Sequence, residues 1–211
     1  MRVAEIFRSL QGESTYSGLP CTFIRLSGCN LACRWCDTPY ALNQGIEMTR
    51  PEILAEVHKH PLDLIEITGG EPLLQIDTPR LAEELLSLGA TVLVETNGSL
   101  DIDRLPSGCV RIMDIKTPSS GGSEAMDWDN IERLQAGDQV KFVIADELDW
   151  QWSLNIINKY SLLQRCPVLA SSVFNQLAPS RLAEWILESR SPVRLQMQLH
   201  KIVWSPEVQG V

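Results

Sequence analysis

Three of the six cysteines fall together in Cys29-Asn-Leu-Ala-Cys33-Arg-Trp-Cys36, with the spacing C-x3-C-x2-C. Thiolates placed in this way can hold three corners of a [4Fe–4S] cube from one loop, and no further cysteine in that loop claims the fourth iron. An iron without a protein ligand is open to a small molecule. Two other chemistries could use the same residues. With Cys21 added, four thiols match the composition of a structural zinc site, although such sites generally bring two separated pairs. The inner Cys33-Arg-Trp-Cys36 has the spacing of a redox dithiol, which would have to open a helix after a strand.

The elements that must position this loop can be read from hydrophobic patterning. Short apolar or β-branched runs recur at Thr22–Leu26, Leu64–Thr68, Thr91–Glu95, Val110–Ile115, Val140–Ile144, Pro167–Ala170 and Val193–Leu199. Helical patterns lie between most of them. Thr49 caps one that carries Pro51 in its first turn and Ile53, Leu54 and Val57 on one face. Thr78-Pro79 opens a second, which Gly89 ends. Further helices are predicted over Trp128–Leu134, Leu148–Tyr160 and Pro179–Ser189. Alternation of this kind gives parallel strands joined by right-handed crossovers. A full (β/α)8 barrel takes roughly 250 residues, so 211 residues predict a single α/β domain. Its expected form is a partial, incomplete parallel (β/α)6-type barrel with some crossover helices shortened or missing. Thr117–Ser123 reads as a loop within that domain.

Ligands of parallel α/β folds collect at the carboxyl ends of the strands. There the unusual residues fall. Thr22–Leu26 runs into the cysteine loop, and the next strand ends in Thr68-Gly-Gly-Glu-Pro72. Those that follow end in Glu95-Thr-Asn-Gly98 and Asp114-Ile-Lys-Thr-Pro118. Paired glycines let a ligand approach the backbone and expose carbonyls that accept from an ammonium group.

Composition narrows the partners. A formal charge of −9 and a pI near 4.8 leave no basic stripe to bind nucleic acid through its phosphates. No apolar run approaches the roughly 18–20 residues that span a bilayer, so no membrane partner is expected. Arg2, Glu5 and Arg8 interrupt any signal-peptide core, which predicts a cytoplasmic location and reduced or metal-bound thiols. Cys109 and Cys166, among apolar neighbours, read as buried hydrophobes.

Together, the cysteine loop and Gly69-Gly-Glu-Pro72 resemble the radical S-adenosylmethionine (SAM) superfamily. Ser9-Leu-Gln-Gly-Glu13, Arg25 within a strand, and Asp37-Thr38 directly after Cys36 further resemble the 7-carboxy-7-deazaguanine synthase family, over essentially the whole chain. That resemblance implies a carbon–nitrogen lyase of queuosine and 7-deazapurine biosynthesis. It would contract the ring of 6-carboxy-5,6,7,8-tetrahydropterin to 7-carboxy-7-deazaguanine with loss of ammonia. A 5′-deoxyadenosyl radical would take hydrogen from the carbon bearing the carboxylate, and SAM would be regenerated.

By the same resemblance Cys29, Cys33 and Cys36 hold the cluster and Thr38 contributes an oxygen to Mg2+. SAM contacts fall on Trp35, Cys36, Asp37, Gly70, Asp114, Ile115, Lys116, Ser171 and Ser172. Substrate contacts fall on Leu10, Gln11, Gly12, Arg25 and Thr68, with the backbone of 10–12 reading the guanine-like edge and Arg25 pairing with the carboxylate. Glu13 is a candidate for orienting that loop, and residues 201–211 for closing over the substrate. Two positions depart from the family pattern. Asp114-Ile115-Lys116 stands where relatives carry Ser-Pro-Lys, and Ser171-Ser172 where they often show Gln-Pro. The resemblance also implies a homodimer and an external reductant such as flavodoxin or ferredoxin. Competing readings are a radical SAM activase acting on a glycine of a partner protein, and a non-enzymatic zinc module.

Overall fold

The computed structural model describes residues 1–59, 61–204, 208 and 210. Its strands are β1 (Arg2–Leu10), β2 (Pro20–Leu26), β3 (Ile46–Glu47), β4 (Leu64–Gly69), β5 (Thr91–Thr96), β6 (Val110–Asp114), β7 (Gln139–Ile144), β8 (Val168–Ser172) and β9 (Arg194–Leu195). They form one sheet in the order β3-β1-β2-β4-β5-β6-β7-β8-β9. From β2 to β9 every neighbouring pair is parallel, while β1 runs antiparallel to both β2 and β3. The end strands β3 and β9 are not paired with each other, so the barrel is incomplete, as chain length predicts.

The crossovers use α1 (Arg50–His58), α2 (Thr78–Ser87), α3 (Asn130–Arg133), α4 (Glu147–Lys159) and α5 (Pro179–Ser189). Between β5 and β6 there is only a 3-10 turn at Ile102–Arg104, and α3 is a single turn. Thr49 caps α1 in a capping box with Glu52, as its position before Pro51 predicts.

Alternation along the strands separates two layers. One set of side chains, including Ile24, Ile67, Val94, Met113, Phe142 and Ala170, packs under the helices in the main core, which also holds Cys109 and Cys166. On the inner face, Cys21, Phe23, Leu64, Leu93 and Ile112 form a second apolar cluster with Phe7, Tyr16 and Val110. Phe7 stacks on Phe23 with ring centroids 5.0 Å apart. This plug fills the inner face toward the amino ends of the strands. Arg25, Thr68, Glu95, Asp114 and Lys141 continue the same face toward the carboxyl ends, where it becomes polar.

Two elements differ from the sequence reading. The stretch read only as lacking a signal core is β1, the longest strand, and it extends the sheet beyond β2. The run Val193–Leu199 is not one strand. Only Arg194–Leu195 pairs with β8, and Leu199–Val203 forms a short helix, α6. The chain leaves the sheet after Gln196, whose N–H still donates to Ala170 O of β8 at 2.8 Å while its buried side chain bonds Ser14 and Glu13.

Candidate active site

The cysteine loop leaves β2 at Leu26 and is braced from several sides. Ser27 N donates to Arg2 O at 2.9 Å and Gly28 N to Ala41 O at 2.9 Å. From the end of β4, Gly70 N donates to Leu26 O at 3.1 Å and Glu71 N to Gly28 O at 2.8 Å. This is what the two glycines accomplish. Gly69 has a φ of +137°, and a β-carbon there would overlap the Leu26 carbonyl. A β-carbon on Gly70 would overlap the Gly28 carbonyl and press on the Cys29 side chain. Glu71, fully buried, accepts from Leu73 N (3.0 Å), Thr96 Oγ1 (2.9 Å) and Asn97 N (2.7 Å), locking the ends of β4 and β5 together. Burial pushes the Glu71 carboxyl up, and these donors oppose it.

All the cysteines carry free thiols. Cys29 and Cys33 are half-buried and Cys36 is exposed, and Cys29 Sγ accepts from Leu31 N at 3.4 Å. Burial raises the Cys29 and Cys33 thiols, while the Lys116 ammonium acts the other way on both. Cys21 does not join them, because it lies buried in the inner apolar plug and donates to Thr22 O at 3.6 Å. The four-thiol zinc reading therefore fails on geometry. Among the described residues no three His, Cys, Asp or Glu side chains converge as the ligands of a single ion would. A cubane spreads its thiolates over separate corners. Three thiols on one braced loop beside a lysine, two half-buried and one exposed, fit such an anionic cluster. The dithiol reading also lacks support: Cys36 N turns back to Cys33 O at 3.3 Å, and no helix opens there.

The expected SAM positions lie on and beside this loop. Trp35 is half-buried in the turn between the last two cysteines, and Asp37 follows it. Across the sheet, Asp114 Oδ2 binds Lys116 at 2.8 Å, while its buried Oδ1 has no protein partner among the described residues. Ser171 Oγ on β8 is also buried without a partner among the described residues. Unpaired buried oxygens at strand ends fit a polar ligand, since leaving them bare costs free energy. Ser172 lines a cavity of about 350 Å³ with Phe174, Gln196, Gln198 and Lys201. Ile115 has only its backbone to offer a ligand. Its side chain is fully buried in the main core and its N–H donates to Lys141 O at 3.0 Å, so its carbonyl alone is left to face a ligand.

The substrate positions converge on the polar part of the inner face. Arg25 Nε meets Glu5 Oε1 at 2.7 Å, Tyr40 OH donates to the same oxygen at 2.5 Å, and the guanidinium lies over Phe7. Among the described residues no hydrogen bond engages the two terminal nitrogens of Arg25. Thr68 Oγ1 donates to Glu95 Oε2 at 3.4 Å. Much of the backbone of Leu10–Gly12, expected to read the substrate edge, already has protein partners. Gln11 N and O are taken by Leu19 and Gly18, and Gly12 O accepts from Leu199 N at 2.9 Å. The Gln11 side chain reaches Glu66, and Gly12 packs so tightly on the His200 ring that a β-carbon would overlap it. Thr38 Oγ1 donates to Asp37 Oδ1 at 3.0 Å. Asp37 in turn meets Lys201 of α6 at 3.3 Å; against the opposing pull of burial, Lys201 and Lys141 hold its carboxyl below the usual range.

The structure adds residues that the sequence did not single out. Lys141 of β7, almost wholly buried, meets Glu13 Oε2 at 2.6 Å, Glu95 Oε1 at 2.5 Å and Asp114 Oδ2 at 3.7 Å. Glu13 also accepts from Gln196 (2.9 Å) and Gln198 (3.0 Å), so one carboxylate joins the 11–14 loop, β7 and the C-terminal segment. Burial opposes charge on both partners, but mutual attraction lowers Glu13 and raises Lys141 well above its ordinary value. Glu66, buried and facing Glu95, is raised well above the usual carboxyl range, chiefly by burial. The signal was available. A charged residue inside an otherwise apolar parallel strand, such as Glu66 between Ile65 and Ile67, must turn to the inner face.

Comparison with known proteins agrees with this geometry. The Radical SAM superfamily model matches residues 23–115. A 7-carboxy-7-deazaguanine synthase of Chlorobaculum tepidum is 42% identical, covering 100% of this chain and 97% of the relative. One of Koribacter versatilis is 41% identical with 100% of both covered. The crystal structure of QueE from Escherichia coli shares the fold, with a TM-score of 0.79 at 22% identity over 94% of each chain. An incomplete parallel barrel, a three-cysteine loop at the end of β2 and full-length similarity above 40% identity place the chain in the 7-carboxy-7-deazaguanine synthase family of the radical SAM superfamily.

Proposed function

We propose that this chain converts 6-carboxy-5,6,7,8-tetrahydropterin to 7-carboxy-7-deazaguanine and ammonia; its relatives are named for that product. The observation that carries the reading is the juxtaposition of the cysteine loop with a polar inner face holding Arg25, Thr68, Glu13 and Glu95. Cys29, Cys33 and Cys36 would hold the [4Fe–4S] cluster. Trp35, Asp37, Gly70, Asp114, Lys116 and Ser171 are the groups around it for SAM. Bound there, cluster and SAM supply the one-electron chemistry that starts the rearrangement.

The protein's own groups bind, orient and shield. The terminal nitrogens of Arg25 are placed to pair with the substrate carboxylate, while Glu5 and Phe7 hold the guanidinium in the plane. Glu13 and Glu95, kept charged-paired by Lys141, present acceptors to the N–H groups of a guanine-like ring. Glu66, whose carboxyl burial pushes well above the usual range, lies on the same inner face and accepts from the Gln11 side chain. Thr38 offers one oxygen to Mg2+, a cation that completes its shell with water and substrate oxygens. Gln198 and Lys201 close one side by joining α6 to Glu13 and Asp37. Closure by residues 205–207, 209 and 211, and by the terminal carboxylate, lies outside the described residues. A small-protein reductant, a homodimer and a cytoplasmic setting complete the reading. No described helix is long and apolar enough to cross a membrane.

Anaerobic reconstitution with iron and sulfide tests the proposal. A brown protein that forms 7-carboxy-7-deazaguanine from the pterin, SAM, Mg2+ and a reductant supports it. A reconstituted protein that cleaves SAM but leaves the pterin untouched refutes it and favours another radical SAM activity.

A further inference from the structure

We propose that Asp149 is a positioning residue for the cluster loop, acting through the loop Thr117–Ser120. The helix that carries it does not need its carboxylate as a cap. Asp146 is the N-cap of α4 and accepts from Asp149 N at 2.9 Å. The Asp149 side chain, 1% exposed, is instead directed at the end of β6. Its Oδ2 accepts from Ala145 N at 3.1 Å and from Thr117 Oγ1 at 3.0 Å, a hydroxyl that also lies 3.2 Å from Val143 O, and its Oδ1 accepts from Ser119 N at 3.1 Å.

The loop so gripped is folded on itself and then on the cysteines. Ser120 N and Oγ both donate to Thr117 O, at 3.0 and 2.6 Å. Ser120 O accepts from Arg34 N at 3.0 Å, between Cys33 and Cys36. Gly122 is the second point of contact, since a β-carbon there would lie 3.3 Å from Leu31 Cδ1 and 3.4 Å from Lys116 Cβ. Leu31 lies between Cys29 and Cys33, so the loop touches both spans between the cysteines. Lys116, whose ammonium acts on Cys29 and Cys33, is the residue immediately before Thr117. A buried carboxylate thus sets the position of the loop that seats the cysteines and of the lysine beside them. Supporting groups of this kind typically change metal affinity about 10- to 100-fold when lost.

The inference rests on the cysteines holding a cluster, and its test separates the two. Asp149→Asn, Thr117→Val, Thr117→Ser and Ser119→Ala are reconstituted, and iron loss to a chelator is followed by the absorbance near 400 nm. Hydrogen exchange of the 29–37 segment is measured alongside, before and after reconstitution. Asp149→Asn and Thr117→Val should lose iron about 10- to 100-fold faster than wild type, with faster exchange in that segment. Thr117→Ser keeps the hydroxyl and should behave as wild type; Ser119→Ala keeps the backbone donor to Asp149 and loses only an Oγ contact to Asp146 at 3.3 Å, so its iron loss and exchange should stay near wild type. Should Asp149→Asn fail to fold, Thr117→Val against Thr117→Ser decides the matter. Wild-type iron loss and exchange in Asp149→Asn and Thr117→Val overturns the inference. A wild type that takes up no cluster defeats the proposed function, while the exchange comparison still decides whether Asp149 holds the loop.

Discussion

Replacing Lys141 by methionine removes the only described cation that touches both Glu13 and Glu95. The side chain is 6% exposed and its contacts are 2.6 and 2.5 Å, so methionine fills the space but leaves two carboxyl groups facing each other without a counter-charge. Removing one partner of a buried pair costs about 3–5 kcal/mol. For a domain of this length that corresponds to a fall in Tm of about 6–20 °C. The pH dependence distinguishes lost charge from lost packing. The raised pKa of Lys141 means its contribution is complete below the ordinary lysine value and disappears as pH climbs through the folded one. The lowered pKa of Glu13 means its contribution is complete above the ordinary carboxyl value and disappears as pH falls through the folded one. The deficit of Lys141→Met should therefore be full at neutral pH and shrink in acid, as pH falls through the lowered folded value of Glu13. Urea titrations of wild type and variant at neutral and acid pH measure it. A neutral-pH deficit below about 1 kcal/mol, the range of a surface pair, would refute the reasoning, as would a deficit that does not change with pH.

Glu66→Gln should raise stability above neutral pH. The raised carboxyl costs stability as pH rises from its unfolded toward its folded value, at about 1.4 kcal/mol per pH unit while it titrates; a wild-type pH profile in the variant would contradict this. Gly70→Ala forces a β-carbon onto the Gly28 carbonyl and should cost about 1–3 kcal/mol and reduce iron bound per chain, read by denaturation and iron assay. Arg25→Ala should weaken pterin binding about 10- to 100-fold, the loss of hydrogen bonds to a charged group, while pterin-independent SAM cleavage persists. Equal loss of both would place Arg25 elsewhere. Thr38→Ala should raise the Mg2+ concentration needed for half-maximal rate, and an unchanged metal response would remove Thr38 from that site.

The cysteine loop, the glycine pair and the strand ends were legible because rare residue types stand where parallel strands must stop. The central strands were legible from their apolar runs. β1 was not. Its alternation is broken by Glu5 and Arg8 and by a register shift between Val3 and Glu5, and its pairing is antiparallel in an otherwise parallel pattern. The Val193–Leu199 run misled because the chain leaves the sheet after Gln196, whose side chain satisfies Ser14 and Glu13, partners more than 180 residues away. The Lys141–Glu13 pair is hidden for the same reason: it joins positions 128 residues apart, and no local pattern records such a distance. Ile115 was named by its place in a motif, but strand alternation turns its side chain into the main core.

On the proposed function, this inner face binds a carboxylated tetrahydropterin beside the cluster and contracts its ring. The most direct measurement uses the substrate deuterated at the carbon bearing the carboxylate, with SAM, Mg2+ and reductant under anaerobic conditions. The account predicts one ammonia and one 7-carboxy-7-deazaguanine per substrate consumed, with deuterium appearing in SAM that is not used up. Consumption of SAM with unlabelled 5′-deoxyadenosine and intact pterin would contradict it.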